Sequence, residues 1–328
     1  MRIFIFIFSW VLIIGHVSGQ SPTVSAASAT HAPEQIKRPD FTITNAGAGI
    51  ITYNPTGHYL AVAVGETIRI YDTGIPDGRT PNWTRTLTGH AAQILGLGFS
   101  GPNTLVSVSL DQTARIWNID TGKLLHTTKM QLDKQLCFAI APGKSLAADT
   151  SSGRVRLWNF QTGEVLKSFE PGDSWASVLA FTPDEKSLVI GTEKGVLRVM
   201  DVASWKLAKT IDLDSPIKSL AASAEHITVG YSDGTVAILN FGDQSSIPEV
   251  KKQKGIINAL AFSPNGEQFA SASDDHSVKV WDIATLKPIC SLEGHSAAVL
   301  SVAFSPDGKT VTSRDSNGVL NFWAAPKQ

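Results

Sequence analysis

The chain has 328 residues, 42% hydrophobic and 17% charged, and its 28 Lys and Arg nearly balance 29 Asp and Glu. No block of one charge sign occurs, which argues against nucleic acid as a partner, because phosphate binding needs a basic face. With 27 Gly and 16 Pro the chain is neither collagen-like nor wholly disordered, and at this length a core needs no disulfide or metal staples.

In chain order, the first segment stands apart. Met1 and Arg2 form a short positive start, and Ile3 to Gly15 is a nearly pure apolar run. As a helix that run rises about 20 Å against about 30 Å of hydrocarbon, too little to span a membrane. Val17-Ser18-Gly19 then offers the small residues a signal peptidase reads. Residues 1–19 are expected to be a signal peptide cleaved near Gly19 and Gln20, and the protein to be exported, secreted or periplasmic, with no stable membrane insertion after cleavage. Residues 20–33 are small and polar, with nothing to pack, and read as a flexible linker.

From residue 34 onward the chain repeats. Short apolar runs end at Tyr71, Trp117, Trp158, Met200, Leu239, Trp281 and Trp323, spaced by 46, 41, 42, 39, 42 and 42 residues. Turn signals keep the same phase: Asn54-Pro55-Thr56-Gly57, Ala141-Pro142-Gly143-Lys144, Thr182-Pro183-Asp184-Glu185, Ser263-Pro264-Asn265-Gly266 and Ser305-Pro306-Asp307-Gly308, with weaker versions at Ser100 and Ser223. Pro presets φ and Gly accepts positive φ, so each is a hairpin turn, and each repeat holds about four short strands with no helical period.

This pattern resembles the WD40 repeat over roughly residues 34 to 328. Gly89-His90 and Gly294-His295 match its Gly-His pair, and Trp281-Asp282 is the dipeptide that names it. The resemblance implies an all-β, closed seven-bladed propeller, one four-stranded blade per repeat. Repeats fall at approximately 44–88, 89–129, 130–170, 171–212, 213–254, 255–293 and 294–328. The last copy ends after its third strand, and the strand candidate Gln35 to Thr44, within residues 34–43 and their edge, is expected to complete it.

The resemblance also implies a buried hydrogen-bond network in each well-formed blade, because a buried indole N–H needs an acceptor. By spacing, the second repeat carries His90, Ser109, Asp111 and Trp117. The sixth has Ser273, Asp275 and Trp281 with Lys254 near the His position, and the seventh has His295 and Trp323 with Asn317 where Asp belongs. The third keeps Thr150 and Trp158, with Ser152 at the Asp position. A Ser, a His and an Asp together invite a hydrolase reading, but the spacing puts them inside a blade, and no Gly-x-Ser-x-Gly elbow exposes a nucleophile. Gly308-Lys309-Thr310 lacks the leading Gly of a phosphate loop, and the eight His show no paired metal spacing. No catalytic residue, metal or cofactor is expected. Cys137 and Cys290 fall on strands of different blades, too far apart to bridge, and are expected to be free thiols.

The resemblance implies work as a non-catalytic scaffold whose partner is a protein, through the face where fourth-to-first-strand loops and second-to-third-strand turns emerge. Contact positions there include Leu95 and Leu110 in the second repeat, Lys134 and Leu136 in the third, Trp175 and Glu193 in the fourth and Lys218 in the fifth. Trp175 leads, since exposed Trp is enriched in binding hot spots; folding down over the core at Met200 is the opposing reading. Trp205, on the opposite face, is a weaker candidate. A propeller enzyme or small-ligand binder using the central channel is the alternative function. The first strands read as small and apolar, which favours a binding platform, the propeller is expected to be monomeric, and the drifted third to fifth repeats leave room for a degraded copy. Asn82-Trp83-Thr84 is a glycosylation sequon whose use stays open.

Overall fold

A computed structural model describes residues 35–44, 49–74, 81–130, 137–141, 143, 145–151, 153–172, 174–241, 249–250 and 253–327. Residues 1–34, which include the expected leader and linker, lie outside the described residues together with Lys134, Leu136 and Ser152. The rest forms seven sheets, one per blade, in which strands that follow one another in the chain pair antiparallel, and two short N-terminal strands add to the sheets of blades six and seven. The first strand of every blade packs against the first strand of the next, and blade seven packs on blade one in the same way. The result is the seven-bladed all-β propeller that the period predicts.

Local chemistry explains the blade. Second and third strands alternate around β-branched and aliphatic residues, as in Tyr59–Val64 and Thr67–Asp72, and are buried on both faces because each blade is sandwiched between two others. In blades one, six and seven the first hairpin turns at the predicted site. The Gly57, Gly266 and Gly308 amides donate to Asn54, Ser263 and Ser305 at 3.0, 2.9 and 2.8 Å, with φ of 74°, 75° and 71°. The seven residues that carry the repeat, Tyr71 through Trp323, are all buried.

The N-terminal segment does two jobs where one was expected. Phe41–Ile43 pairs antiparallel with Leu320–Ala324 and completes blade seven. Gln35–Lys37 leaves that blade and pairs in parallel with the outer strand of blade six, Pro288–Glu293, as a fifth strand. The expectation that Gln35 to Thr44 forms a single closing strand is thereby corrected. Pro39 causes the split: it lacks an N–H and cannot continue a ladder. The next residue anchors the second half, since the Asp40 amide donates to the Phe322 carbonyl at 2.8 Å and its carboxylate accepts the Ala324 amide at 2.5 Å.

Neighbouring blades are stitched near the start of their first strands. The Cys137 thiol donates to the Ala176 carbonyl at 3.1 Å, Ser177 to Ile217 at 2.7 Å, Ser219 to Ile257 at 2.8 Å and Asn258 to Val299 at 3.0 Å. The Ile94 amide donates to Gly65 at 2.8 Å, and the buried guanidinium of Arg314 reaches from blade seven to the Gly49 carbonyl of blade one. Burial holds the Arg314 pKa down, to about 10. Cys137 and Cys290 are both buried, on blades three and six, and are not joined by a disulfide.

Candidate functional site: buried networks and the loop face

Blade two shows what its polar residues do. The Trp117 indole donates to the Ser107 hydroxyl at 2.8 Å, Ser107 meets His90 Nε2 at 2.8 Å, and His90 Nδ1 meets Asp111 at 2.7 Å. One proton direction satisfies every member: indole to hydroxyl, hydroxyl to Nε2, Nδ1–H to carboxylate. That direction requires a neutral imidazole. Asp111 also accepts from the Ala91 amide at 3.0 Å and from the Thr113 hydroxyl at 2.7 Å. Burial works against the Asp111 carboxylate, but these donors outweigh it and bring its pKa down to about 2.

The serine is Ser107, not Ser109. Ser109 donates to the Ala92 carbonyl at 2.7 Å and accepts the Asp111 amide at 3.1 Å, holding the turn instead. The same correction applies in blade six, where Trp281 donates to Ser271 at 2.8 Å while Ser273 bonds the Gly255 carbonyl. There Gln253, not Lys254, stands in for His: its carbonyl accepts from Ser271, and its Nε2 donates to Ser277 at 3.1 Å, which donates to Asp275 at 2.6 Å. Lys254 contributes only its backbone amide, to Asp275 at 3.1 Å. In blade seven the acid is Asp315, two residues before Asn317, with His295 at 2.9 Å; Ser313 joins His295 at 2.7 Å and Trp323 at 2.8 Å. The register accounts for all of this. Ser107, Ser271 and Ser313 sit opposite Arg115, Lys279 and Asn321, on the same face as the Trp two residues further along.

The other blades match hydroxyl to need. The equivalent positions in blades one, four and five are Val62, Ile190 and Val229, beside Tyr71, Met200 and Leu239, which bring no indole. Blade three differs: its tight turn shifts the register by one, and Asp149 occupies the serine position opposite Arg156. The two form a bidentate ion pair at 2.9 and 2.8 Å. The Trp158 N–H is left without a partner among the described residues, and Thr150 instead accepts the Cys137 amide at 2.8 Å.

The Gly of each Gly-His pair also has a physical reason. At Gly89 φ is 144° and a Cβ would meet the Arg115 guanidinium at 2.7 Å, while at Gly294 a Cβ would meet the Pro39 ring at 3.0 Å. The Ser-His-Asp sets in blades two and seven have the contacts of a hydrolytic triad, but Ser107 and Ser313 have no solvent exposure and each hydroxyl is occupied by an indole. They hold blades together.

Burial lowers the pKa of His90 and of His295, and the paired Asp111 and Asp315 only partly offset it. In the unfolded chain these imidazoles titrate near 6.5. Below that pH the unfolded state takes up the proton first, so stability is fully present above about 6.5 and declines as pH falls toward the depressed folded values. The slope is up to about 1.4 kcal/mol per pH unit for each histidine. Urea midpoints should drop between pH 6.5 and 5, and exchanging both histidines for Gln, the residue blade six already uses, should flatten the curve. A wild-type midpoint constant over that range would contradict the neutral-imidazole network.

On the loop face the structure separates the proposed contact residues. Trp175 is 50% exposed, and its ring edge passes 3.6 Å from where a Cβ of Gly153 would stand, so it leans on the turn of blade three and not on Met200. Its carbonyl accepts the amide of Glu193, which is exposed. Leu110, on the turn of blade two, is 45% exposed. Leu95 and Lys218 are half-buried at β-bulges of the first strands, Leu95 against the core between blades two and three and Lys218 engaged with a partner. Trp205 is partly buried against the main core. Sequence reasoning did not single out six exposed apolar residues on the outer strands of blades one to four: Trp83, Leu124, Leu125, Val165, Leu166 and Leu207. Among the described residues no cluster of His, Cys, Asp and Glu is placed to hold a metal.

Comparison with known proteins agrees with this geometry. The family described as "WD domain, G-beta repeat" matches residues 82–118, 246–282 and 286–324. Each match takes in the outer strand of one blade and three strands of the next, so the repeat in sequence is offset by one strand from the blade in space. The chain is 24% identical over 249 residues to the guanine nucleotide-binding protein subunit beta of Saccharomyces cerevisiae, covering 72% of this chain and 57% of that protein. It is 27% identical over 193 residues to periodic tryptophan protein 2 of Arabidopsis thaliana, covering 57% of this chain and 21% of that protein. With THO complex subunit 3 of the same plant it shares 23% over 241 residues, 70% of this chain and 76% of that protein. The chain carries WD40 repeats, folded as a seven-bladed β-propeller.

Proposed function

We propose that the protein is a non-catalytic scaffold that presents its loop face to a protein partner outside the cytoplasm. The observation that carries this is Trp175: a large aromatic, half exposed, whose carbonyl accepts the amide of exposed Glu193 and whose ring stands over the Gly153 turn of blade three, with exposed Leu110 on the turn of blade two. Two of the similar proteins are named as subunits, which supports a role in assembly. The occupied, buried hydroxyls of Ser107 and Ser313 support a non-catalytic reading. Export rests on the leader at residues 1–19, and the N-terminus of the mature protein should be Gln20.

The test is affinity capture from the exported fraction of the source organism with residues 20–328 as bait. One protein should be captured by the wild type and its recovery cut about tenfold or more by Trp175→Ala, the effect of losing a central aromatic anchor. Equal recovery by the variant would move the interface away from Trp175. Capture of nothing would remove the scaffold reading and direct attention to the central channel.

A further inference from the structure

We propose that the outer strand of blade two, Lys123–Lys129, is an open docking edge that takes an extended acidic, apolar peptide as a fifth strand. The inference goes beyond the loop-face reading and does not depend on it.

The molecule already contains such a fifth strand. In blade six Gln35–Lys37 pairs in parallel with Cys290, Ser291 and Leu292, and all three of those residues are buried. Blade two has the same geometry, and among the described residues no fifth strand covers its edge. In blade six Trp281 pairs with Pro288 and Val280 with Cys290, with a bulge between; in blade two Trp117 pairs with Leu124 and Ile116 with His126, with the same bulge. His126, Thr127 and Thr128 therefore stand where Cys290, Ser291 and Leu292 stand, and Lys123–Lys129 is the terminal strand of its sheet.

Three features of this edge favour an occupant. Leu124 and Leu125 are 42% and 56% exposed, two large apolar residues in succession where an ordinary edge carries polar ones. The bulge at Leu125 breaks the in–out alternation and exposes both. The strand holds Lys123, His126 and Lys129 and no acidic residue, so its charge complements an acidic chain. Lysines and bulges also serve to protect edges from unwanted pairing, but protection gives no reason for paired exposed leucines. Blade three repeats the apolar pair at Val165 and Leu166 on a shorter strand with one lysine, a weaker version of the same edge. In such docking the backbone supplies affinity and alternate side chains supply selectivity.

The test uses a fluorescent synthetic octapeptide of alternating Glu and Val, with a second peptide carrying Lys in place of Glu. The acidic peptide should bind, and the basic one should bind at least about tenfold more weakly. Amide hydrogen exchange with the acidic peptide present should show new protection at His126–Thr128. Leu124→Glu combined with Leu125→Glu, both at exposed positions and so expected to melt like the wild type, should weaken binding by about tenfold or more. Trp175→Ala should leave it unchanged, which separates this edge from the loop face. Absence of binding, equal binding of the basic peptide, equal binding by the double variant, or protection confined to the loops around Trp175 would each overturn the proposal.

Discussion

Deleting residues 1–43 should abolish cooperative folding. The segment supplies the outer strand of blade seven and the fifth strand of blade six. With it go the Asp40 bonds to Phe322 and Ala324, the Thr42 hydroxyl bond to Asn321 at 2.7 Å, and the contacts of Phe41 and Ile43 with the core between blades seven and one. At about 1 kcal/mol for each side-chain and strand-pairing hydrogen bond, plus the apolar area re-exposed, the loss reaches about 5 kcal/mol, comparable to the lower end of the stability of a whole domain. It also uncovers the edge of Leu320–Ala324, an aggregation template. Thermal unfolding followed by circular dichroism, with light scattering for association, checks both consequences. A truncated chain that melts within a few degrees of the full one would show that the inter-blade stitches close the ring unaided. Asp40→Ala, expected to cost about 1–2 kcal/mol, reports on the strap if the truncated chain cannot be obtained.

The second large effect discriminates between two neighbouring serines. Ser107→Ala should destabilise by about 2–4 kcal/mol, because it orphans two fully buried partners, the Trp117 N–H and His90 Nε2. Ser109→Ala should cost about 1 kcal/mol, since it gives up only a turn bond to Ala92 and one from the Asp111 amide. Urea denaturation of the two variants side by side is sufficient, and Ser313→Ala in blade seven should repeat the larger value. If Ser109→Ala proves the costlier, the network has been assigned to the wrong hydroxyl.

That pair of serines also shows where reading the chain succeeds and where it stops. The blade count, the blade order and the hairpin turns were legible because each depends on residues near one another in sequence: an apolar run, a Pro, a Gly at positive φ. His90, Asp111, Trp117, His295 and Trp323 were legible because they lie in recognisable local motifs. Ser107 against Ser109 was not, because both are hydroxyls on one strand face and only the hairpin register says which lies beside the indole. In blade three a turn one residue shorter moves Asp149 into that place, and in blade seven Asp315 acts from a position two residues earlier than spacing suggests. Gln253 went unnoticed because an amide that replaces imidazole has no sequence signature.

What the sequence by itself determined was a periodic all-β chain of seven repeats with buried aromatic positions, since strand alternation and turn chemistry act over a few residues. Only the tertiary structure decided the rest. It split the N-terminal segment at Pro39 between two blades, set the register that chooses each hydrogen-bond partner, and distinguished the exposed leucines of blade two from the buried outer strand of blade six. The physical reason is one of range: backbone preferences are local, whereas burial and pairing depend on which distant strand lies alongside, and residues 35 and 290 meet only when the ring is complete.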